Sequence, residues 1–297
     1  MQRVLIAIPH FFDHGGGAGA QHDSARANSA ATRAQALGTV ISALHELFAQ
    51  PYLAADHVRQ HCVAVDSPGR MQLDICVLTN GDNHLLDRLP CPATLYHRIA
   101  GVGDPRWLGL AAHKVIAQTL GQYDWYGYLE DDTAIEDPLF FLKLRHAYDA
   151  LDAQVGPGAI LQPYRFETVR DAAGHNLPVP RKLYPDWESG GLDFDAPPAR
   201  IDMLGRVWTF APARHPHAGC FFLDRARAEM FTKSPYCGAA KEIWVTPPDT
   251  AATLALMRTF RIFKAVADSL PFLEVRHLRP AMIGNLRPGP GETWRWN

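Results

Sequence analysis

The sequence predicts an α/β fold with a mainly parallel central sheet and helices on both faces. Three observations predict it. Short apolar runs rich in β-branched residues, such as VLIAI at Val4–Ile8, alternate with longer stretches whose apolar residues recur at helical spacing. This alternation runs over roughly the first half of the chain, the pattern that builds parallel strands through crossover helices. The length of 297 residues suits one large unit of this kind.

The elements follow in order. Val4–Ile8 reads as a buried first strand, closed by Pro9. The Gly-rich stretch His14–Asp23 reads as a loop; it lacks the spacing and trailing Lys-Ser/Thr of a P-loop. Ser29–Phe48 places Leu37, Ile41, Leu44 and Phe48 on one helical face. Met71–Thr79 is the second strand, ending in the turn Asn80-Gly81-Asp82. Thr94–Ile99 is a short third strand. Pro105–Leu120 is a helix with Pro at its start, where a missing N–H costs nothing. Trp125–Leu129 is the fourth strand, Pro138–Leu151 a helix and Ala159–Tyr164 the fifth strand.

From Phe166 to Ala213 the pattern changes. Pro and Gly are frequent and apolar periods are short, so this segment reads as an irregular excursion over the sheet. His217–Leu223 is strand-like and Arg225–Lys233 helical. Pro248–Ser269 reads as one helix, and FLEVRHL (Phe272–Leu278) as a strand before a Pro/Gly/Trp-rich tail.

The bulk numbers narrow the function classes. Lys plus Arg total 29 against 31 Asp plus Glu, a net charge of −2, which argues against gripping nucleic acid through global charge. The five cysteines form no CxxC pair, so free thiols in a reducing compartment are expected rather than a disulfide framework. The opening MQRVLIAIPHFFDH lacks a leader-like core and cleavage site, and no window approaches the length of a membrane span. The expectation is a cytoplasmic protein without a transmembrane segment.

The informative stretch is WYGYLEDDTAIEDP. Glu130, Asp131 and Asp132 stand side by side at the end of an apolar strand, with Glu136 and Asp137 close behind. Three adjacent carboxylates repel one another. One reading makes them a turn before the next helix. The other supplies a positive partner: hard oxygen ligands at strand ends suit Mg²⁺ or Mn²⁺, which take one or two carboxylates plus substrate phosphates. In open sheets, ligands bind at the carboxyl ends of strands, where Asp82 also lies.

YGYLEDDTAIEDPLFF resembles the DXD region of GT-A fold glycosyltransferases, and other stretches are similar to that family in the same order. They are VLIAIPHFF, LTNGD, HAGCFFLDRARAEMF, PPDTAATLALMRTF and VRHL. The resemblance covers most of the chain. It implies a single GT-A-like domain over 1–297, with a Rossmann-like nucleotide-sugar half (1–165), an insertion or lid (166–213) and an acceptor-side half with the tail (214–297). It departs from the family's pattern in reading EDD for a plain DXD, and Pro248-Asp249 for the usual Glu-Asp pair.

The resemblance also implies roles. Asp132 is the expected metal ligand and His277 its partner in the metal site. Glu130 or Asp131 would meet sugar or ribose hydroxyls. Pro9 would line the nucleotide at the end of the first strand. Asp82 would hold the base or ribose, or be a plain turn residue. His217, ahead of Gly219, would touch acceptor or diphosphate, and the sequence does not separate it from His215. Asp249 is the expected general base of an inverting transfer; its other reading is a helix-start acid stabilised by the macrodipole. The implied activity is metal-dependent transfer of a sugar from a nucleotide-diphospho-sugar to a hydroxyl acceptor, a glycan, lipid or small molecule. The alternatives are a metal-dependent nucleotidyltransferase and an inactive GT-A-like binding protein. The first of these is disfavoured because the Gly cluster has no nearby Lys.

Overall fold

The computed structural model describes residues 1–14, 29–101, 103–168, 182–239, 242–280, 282–288 and 294–296. Strand β1 (Arg3–Pro9) leads to helix α1 (Ala30–Leu44), which continues as a π turn at His45–Ala49. A hairpin follows, β2 (Tyr52–Asp56) and β3 (His61–Val65), then β4 (Gln72–Asn80) and β5 (His97–Gly101). Helix α2 (Leu108–Gln118), β6 (Trp125–Leu129), the short β7 (Thr133–Ala134) and α3 (Phe140–Val155) come next. The strands β8 (Ala159–Leu161), β9 (Tyr164–Thr168), β10 (Lys182–Leu183), β11 (Ala199–Met203), β12 (Arg206–Pro212) and β13 (Cys220–Asp224) precede α4 (Arg225–Thr232). The chain closes through α5 (Pro247–Asp249), a π turn (Thr250–Leu254), α6 (Ala255–Met257), β14 (Arg261–Ala265), β15 (Glu274–His277), β16 (Leu286–Pro288) and β17 (Trp294–Trp296).

The expected α/β architecture is present. The central sheet has the order β13-β6-β1-β4-β5. Its four inner pairings include three parallel ones, β6 with β1, β1 with β4 and β4 with β5, while β13 runs antiparallel to β6. Side chains on a strand alternate between faces, and here each face has its own helices. Trp125 and Phe222 pack on Phe141 of α3. Their neighbours Tyr128 and Phe221 turn the other way, to His113 of α2, and Phe221 also meets Phe231 of α4. Each such ring contributes ~1.5–3 kcal/mol on leaving water.

Two smaller sheets, β10-β9-β15-β7 and β11-β12-β14-β8, flank the central one. They correct two expectations. The segment from Phe166 to Ala213 is irregular only in part where it is described: it supplies most of β9 and all of β10, β11 and β12, with an irregular stretch over 184–198 between β10 and β11. The β11–β12 hairpin turns at Leu204 and Gly205, both at positive φ (57° and 70°). Such a two-residue turn normally carries Asn-Gly, so Leu204 hid it. The expected helix over Pro248–Ser269 ends at Met257, and Arg261–Ala265 becomes β14, parallel to β8 and antiparallel to β12. Phe260, Ile262 and Phe263 are buried there, and aromatic and β-branched residues pair well in a strand.

Smaller shifts follow the same rule. The third strand lies at His97–Gly101, after a 3-10 turn at Ala93–Leu95, and the run from His217 forms a strand only from Cys220. The β2–β3 hairpin has no strand signal because both its faces are exposed. The Gly-rich expectation at 15–23 lies outside the described residues. All five cysteines are free thiols, and among the described residues no helix is long and apolar enough to cross a membrane.

Candidate functional site

The carboxyl ends of β1 and β6 lie side by side in the parallel sheet. Directly after Pro9, the last residue of β1, comes His10, fully buried. Its Nε2 accepts from the Leu85 N–H at 3.1 Å, so Nδ1 carries the hydrogen and donates to Asp131 Oδ2 at 2.5 Å. Arg33 of α1 donates to the same oxygen at 2.7 Å. Asp131 is thus turned inward and ties β6 to β1 and α1. It is held by two residues the sequence reading did not single out.

Asp132 points to the other side. The β7–β15 pairing sets His277 opposite Thr133, and the Leu278 N–H donates to the Asp132 carbonyl at 2.8 Å. His277 Nε2 therefore stands 3.6 Å from Asp132 Oδ2. Behind it, Nδ1 lies 3.0 Å from Glu167 Oε1. Glu167 is buried, and its Oε2 accepts from the N–H groups of Met282 and Ile283 at 3.0 and 2.7 Å. Burial disfavours the Asp132 carboxylate, yet His277, Arg33 and Arg165 hold it down at about 2. Burial likewise disfavours the His277 imidazolium, but Asp132 and Glu167 hold it up at about 9.

Glu130 occupies the middle of the cluster. Its N–H donates to the Gly219 carbonyl at 3.0 Å. Gly219 has φ +61°, and a Cβ on it would lie 2.3 Å from Glu130 Oε2. Burial pushes the Glu130 carboxyl up, partly offset by Arg165, whose Nη1 lies 3.9 Å away; Asp132, His217 and Asp249 act on it as well. Arg165 forms a two-pronged pair with Asp186, both bonds 2.8 Å. Burial works against its charge, but Asp186 and Glu130 keep it protonated.

Asp249 closes the site. Thr246 caps the start of α5 and accepts from the Asp249 N–H at 3.3 Å, while its own hydroxyl donates to Asp249 Oδ2 at 2.5 Å. Asp249 Oδ1 lies 2.8 Å from His217 Nδ1. Burial opposes the Asp249 carboxylate, but His217 and Thr246 lower it below its usual range. His215 lies elsewhere, stacked parallel to Trp244 at 6.5 Å. Beneath, Lys264 is buried over the Tyr164 ring at 3.9 Å and donates to the His217 carbonyl at 2.5 Å.

Five of the predicted residues thus share one charged cluster: Glu130, Asp132, His217, Asp249 and His277, with Gly219 beneath Glu130. Asp131 supports it from inside. Asp82 stands apart. It is fully exposed, pairs with Arg98 at 3.4 Å, and lines a cleft of about 240 Å³ with His14, His84, Asp87 and Arg88. Pro9 pairs with Leu78 in the sheet, one residue before His10. Arg165, Asp186, Glu167, Lys264, His10 and Arg33 went unread. His10 alone had a local signal, its place directly after the first strand.

The donor set at Asp132 fits a divalent ion in part. Asp132 would offer an oxygen, and His277 a nitrogen 3.6 Å from it once the ion displaced the proton that Asp132 and Glu167 hold on the ring; a carboxylate behind a ligating histidine is the usual outer-shell partner. Among the described residues no group of three His, Cys, Asp or Glu side chains is placed to hold an ion. A bound ion would need further oxygens from a substrate, as Mg²⁺ and Mn²⁺ commonly do. No family model matches the chain, and no curated protein matches it significantly.

Proposed function

We propose that this chain is a metal-dependent, GT-A-type glycosyltransferase. It would move a sugar from a nucleotide-diphospho-sugar to a hydroxyl acceptor with inversion. The observation that carries the reading is the meeting of Asp132 and His277, far apart in sequence, at the end of β6, 3.6 Å from each other with Glu167 behind.

In this reading Asp132 and His277 hold Mn²⁺ or Mg²⁺, which when bound would neutralise charge on the donor's diphosphate. Arg165, kept charged by Asp186, faces the same region and adds a fixed positive charge for the leaving group. Glu130, held at the Gly219 turn, meets a sugar or ribose hydroxyl. The cleft beside Asp82 takes the base, with Arg88, Arg98 and His84 as donors around it. Asp249 and the His217 ring against it supply the base for the acceptor's proton, and the depressed ionisation of Asp249 keeps it charged at neutral pH. The segment after Phe166 contributes to the site through Asp186, which reaches Arg165 from the turn after β10.

Thermal unfolding with UDP, GDP, CDP and ADP, each with and without Mn²⁺, tests the reading. One nucleotide should stabilise the protein, and only with the metal; at ~100 times its dissociation constant the gain is about 2.7 kcal/mol. Absence of any metal-dependent shift, together with no sugar release from a nucleotide-sugar panel, rules the reading out.

A further inference from the structure

Both oxygens of Asp249 are already engaged. Oδ2 receives the Thr246 hydroxyl at 2.5 Å, and Oδ1 lies against His217 Nδ1 at 2.8 Å. The Asp249 side chain is 13% exposed and that of His217 is 29% exposed, so the imidazole is the more open of the two. A bare Nδ1 lone pair would repel a carboxylate oxygen 2.8 Å away, so the neutral ring carries its hydrogen on Nδ1 and leaves Nε2 with a bare lone pair. The backbone holding the ring is pinned at both ends: Lys264 donates to the His217 carbonyl, and Gly219 turns under Glu130.

We propose that His217 Nε2 is the atom that takes the acceptor proton, with Asp249 as a positioning residue that sets the ring's tautomer and orientation. The inference rests on the glycosyltransferase reading and changes which atom meets the substrate. The acceptor O–H bond breaks and its proton goes to Nε2. The freed oxygen pair forms the bond to the donor's anomeric carbon. The bond from that carbon to the diphosphate oxygen breaks, and its electron pair leaves on the diphosphate. The imidazolium so formed shares its Nδ1–H with the Asp249 carboxylate. A carboxylate already carrying two hydrogen bonds is a weak base, whereas an imidazole backed by a carboxylate is a strong one at neutral pH.

The charged groups facing the ring are Asp249 from the start of α5, Glu130 from the end of β6, Asp186 from the turn after β10, and Lys264 of β14 on the backbone side; Arg165 of β9 acts on the three carboxylates.

Two measurements test the assignment. Nitrogen-15 spectra of the histidines in the full chain, without donor, should show His217 protonated at Nδ1 and bare at Nε2 above its titration. Asp249→Asn should remove that preference for Nδ1. The opposite tautomer in the wild type overturns the dyad, whatever the reaction. His217→Asn keeps a donor toward Asp249 and loses Nε2. It should retain Mn²⁺-dependent nucleoside diphosphate binding and lose sugar transfer by ~10²–10⁴-fold. In Asp249→Asn kcat should fall along with the loss of the Nδ1 tautomer, while Mn²⁺-dependent nucleoside diphosphate binding is retained. Wild-type transfer by His217→Asn overturns the proposal and returns the proton to Asp249. A wild type that binds no nucleoside diphosphate and transfers no sugar fails the glycosyltransferase reading, and the proton role falls with it; the spectra fail the dyad alone.

Discussion

Gly219 lies directly beneath Glu130: a Cβ at Gly219 would stand 2.3 Å from Glu130 Oε2 and 2.7 Å from its Cδ, and the Gly219 backbone is left-handed at φ +61°. The turn that delivers His217 and the strand end that delivers the acidic triplet are therefore shaped against each other. Gly219→Ala meets both a steric and a conformational penalty, and should destabilise the protein by ~1–3 kcal/mol. In a Glu130→Ala background the steric part disappears and the left-handed part remains, so the same substitution should cost about 1 kcal/mol there. Urea denaturation of the four proteins in the cycle measures this. An equal cost in both backgrounds would show that Glu130 does not press on the turn.

Asp132→Asn should abolish metal-dependent nucleoside diphosphate binding and leave the fold intact. The residue is a partly open strand-end group whose carboxylate answers to His277. Calorimetric titration of nucleoside diphosphate with Mn²⁺ checks it, and equal affinity in mutant and wild type removes Asp132 from the metal site.

Glu167→Gln probes the support behind His277. The amide keeps a similar shape and still offers one oxygen to the Met282 and Ile283 N–H groups, but loses the carboxylate facing Nδ1. Mn²⁺-dependent nucleotide affinity should fall ~10–100-fold, the usual effect of losing an outer-shell carboxylate. An unchanged affinity would mean that His277 is oriented by the β7–β15 pairing alone.

Lys264 gives a pH-dependent prediction. Burial lowers it from an ordinary 10.5 to about 8. A base with a depressed folded value binds fewer protons folded than unfolded between those two limits, so stability rises with pH across that window and the charged lysine costs most below it. The span corresponds to about 3 kcal/mol. Relative to Lys264→Met, the wild type should gain up to this amount between about pH 8 and pH 10.5, read by urea unfolding at several pH values. A constant difference across the window would show that Lys264 titrates normally in the folded state.

The alternation of short β-branched runs with amphipathic stretches was enough to predict the sheet, because burial on one face leaves a period within ten or so residues. The strand-end acids and the acid at the start of α5 could be read for the same reason: their positions follow from where each local element stops. Arg261–Ala265 could not. Its apolar residues fit a helix as well as a strand, and only pairing between β8 and β12 decides for the strand. The choice of His217 over His215, and the pairs Arg165–Asp186 and His10–Asp131, join residues from separate elements and leave no local period. His277 depends on register in the strictest sense. It faces Asp132 because β15 sets it opposite Thr133 of β7, and a slip of one residue would turn its ring to the other face of the sheet.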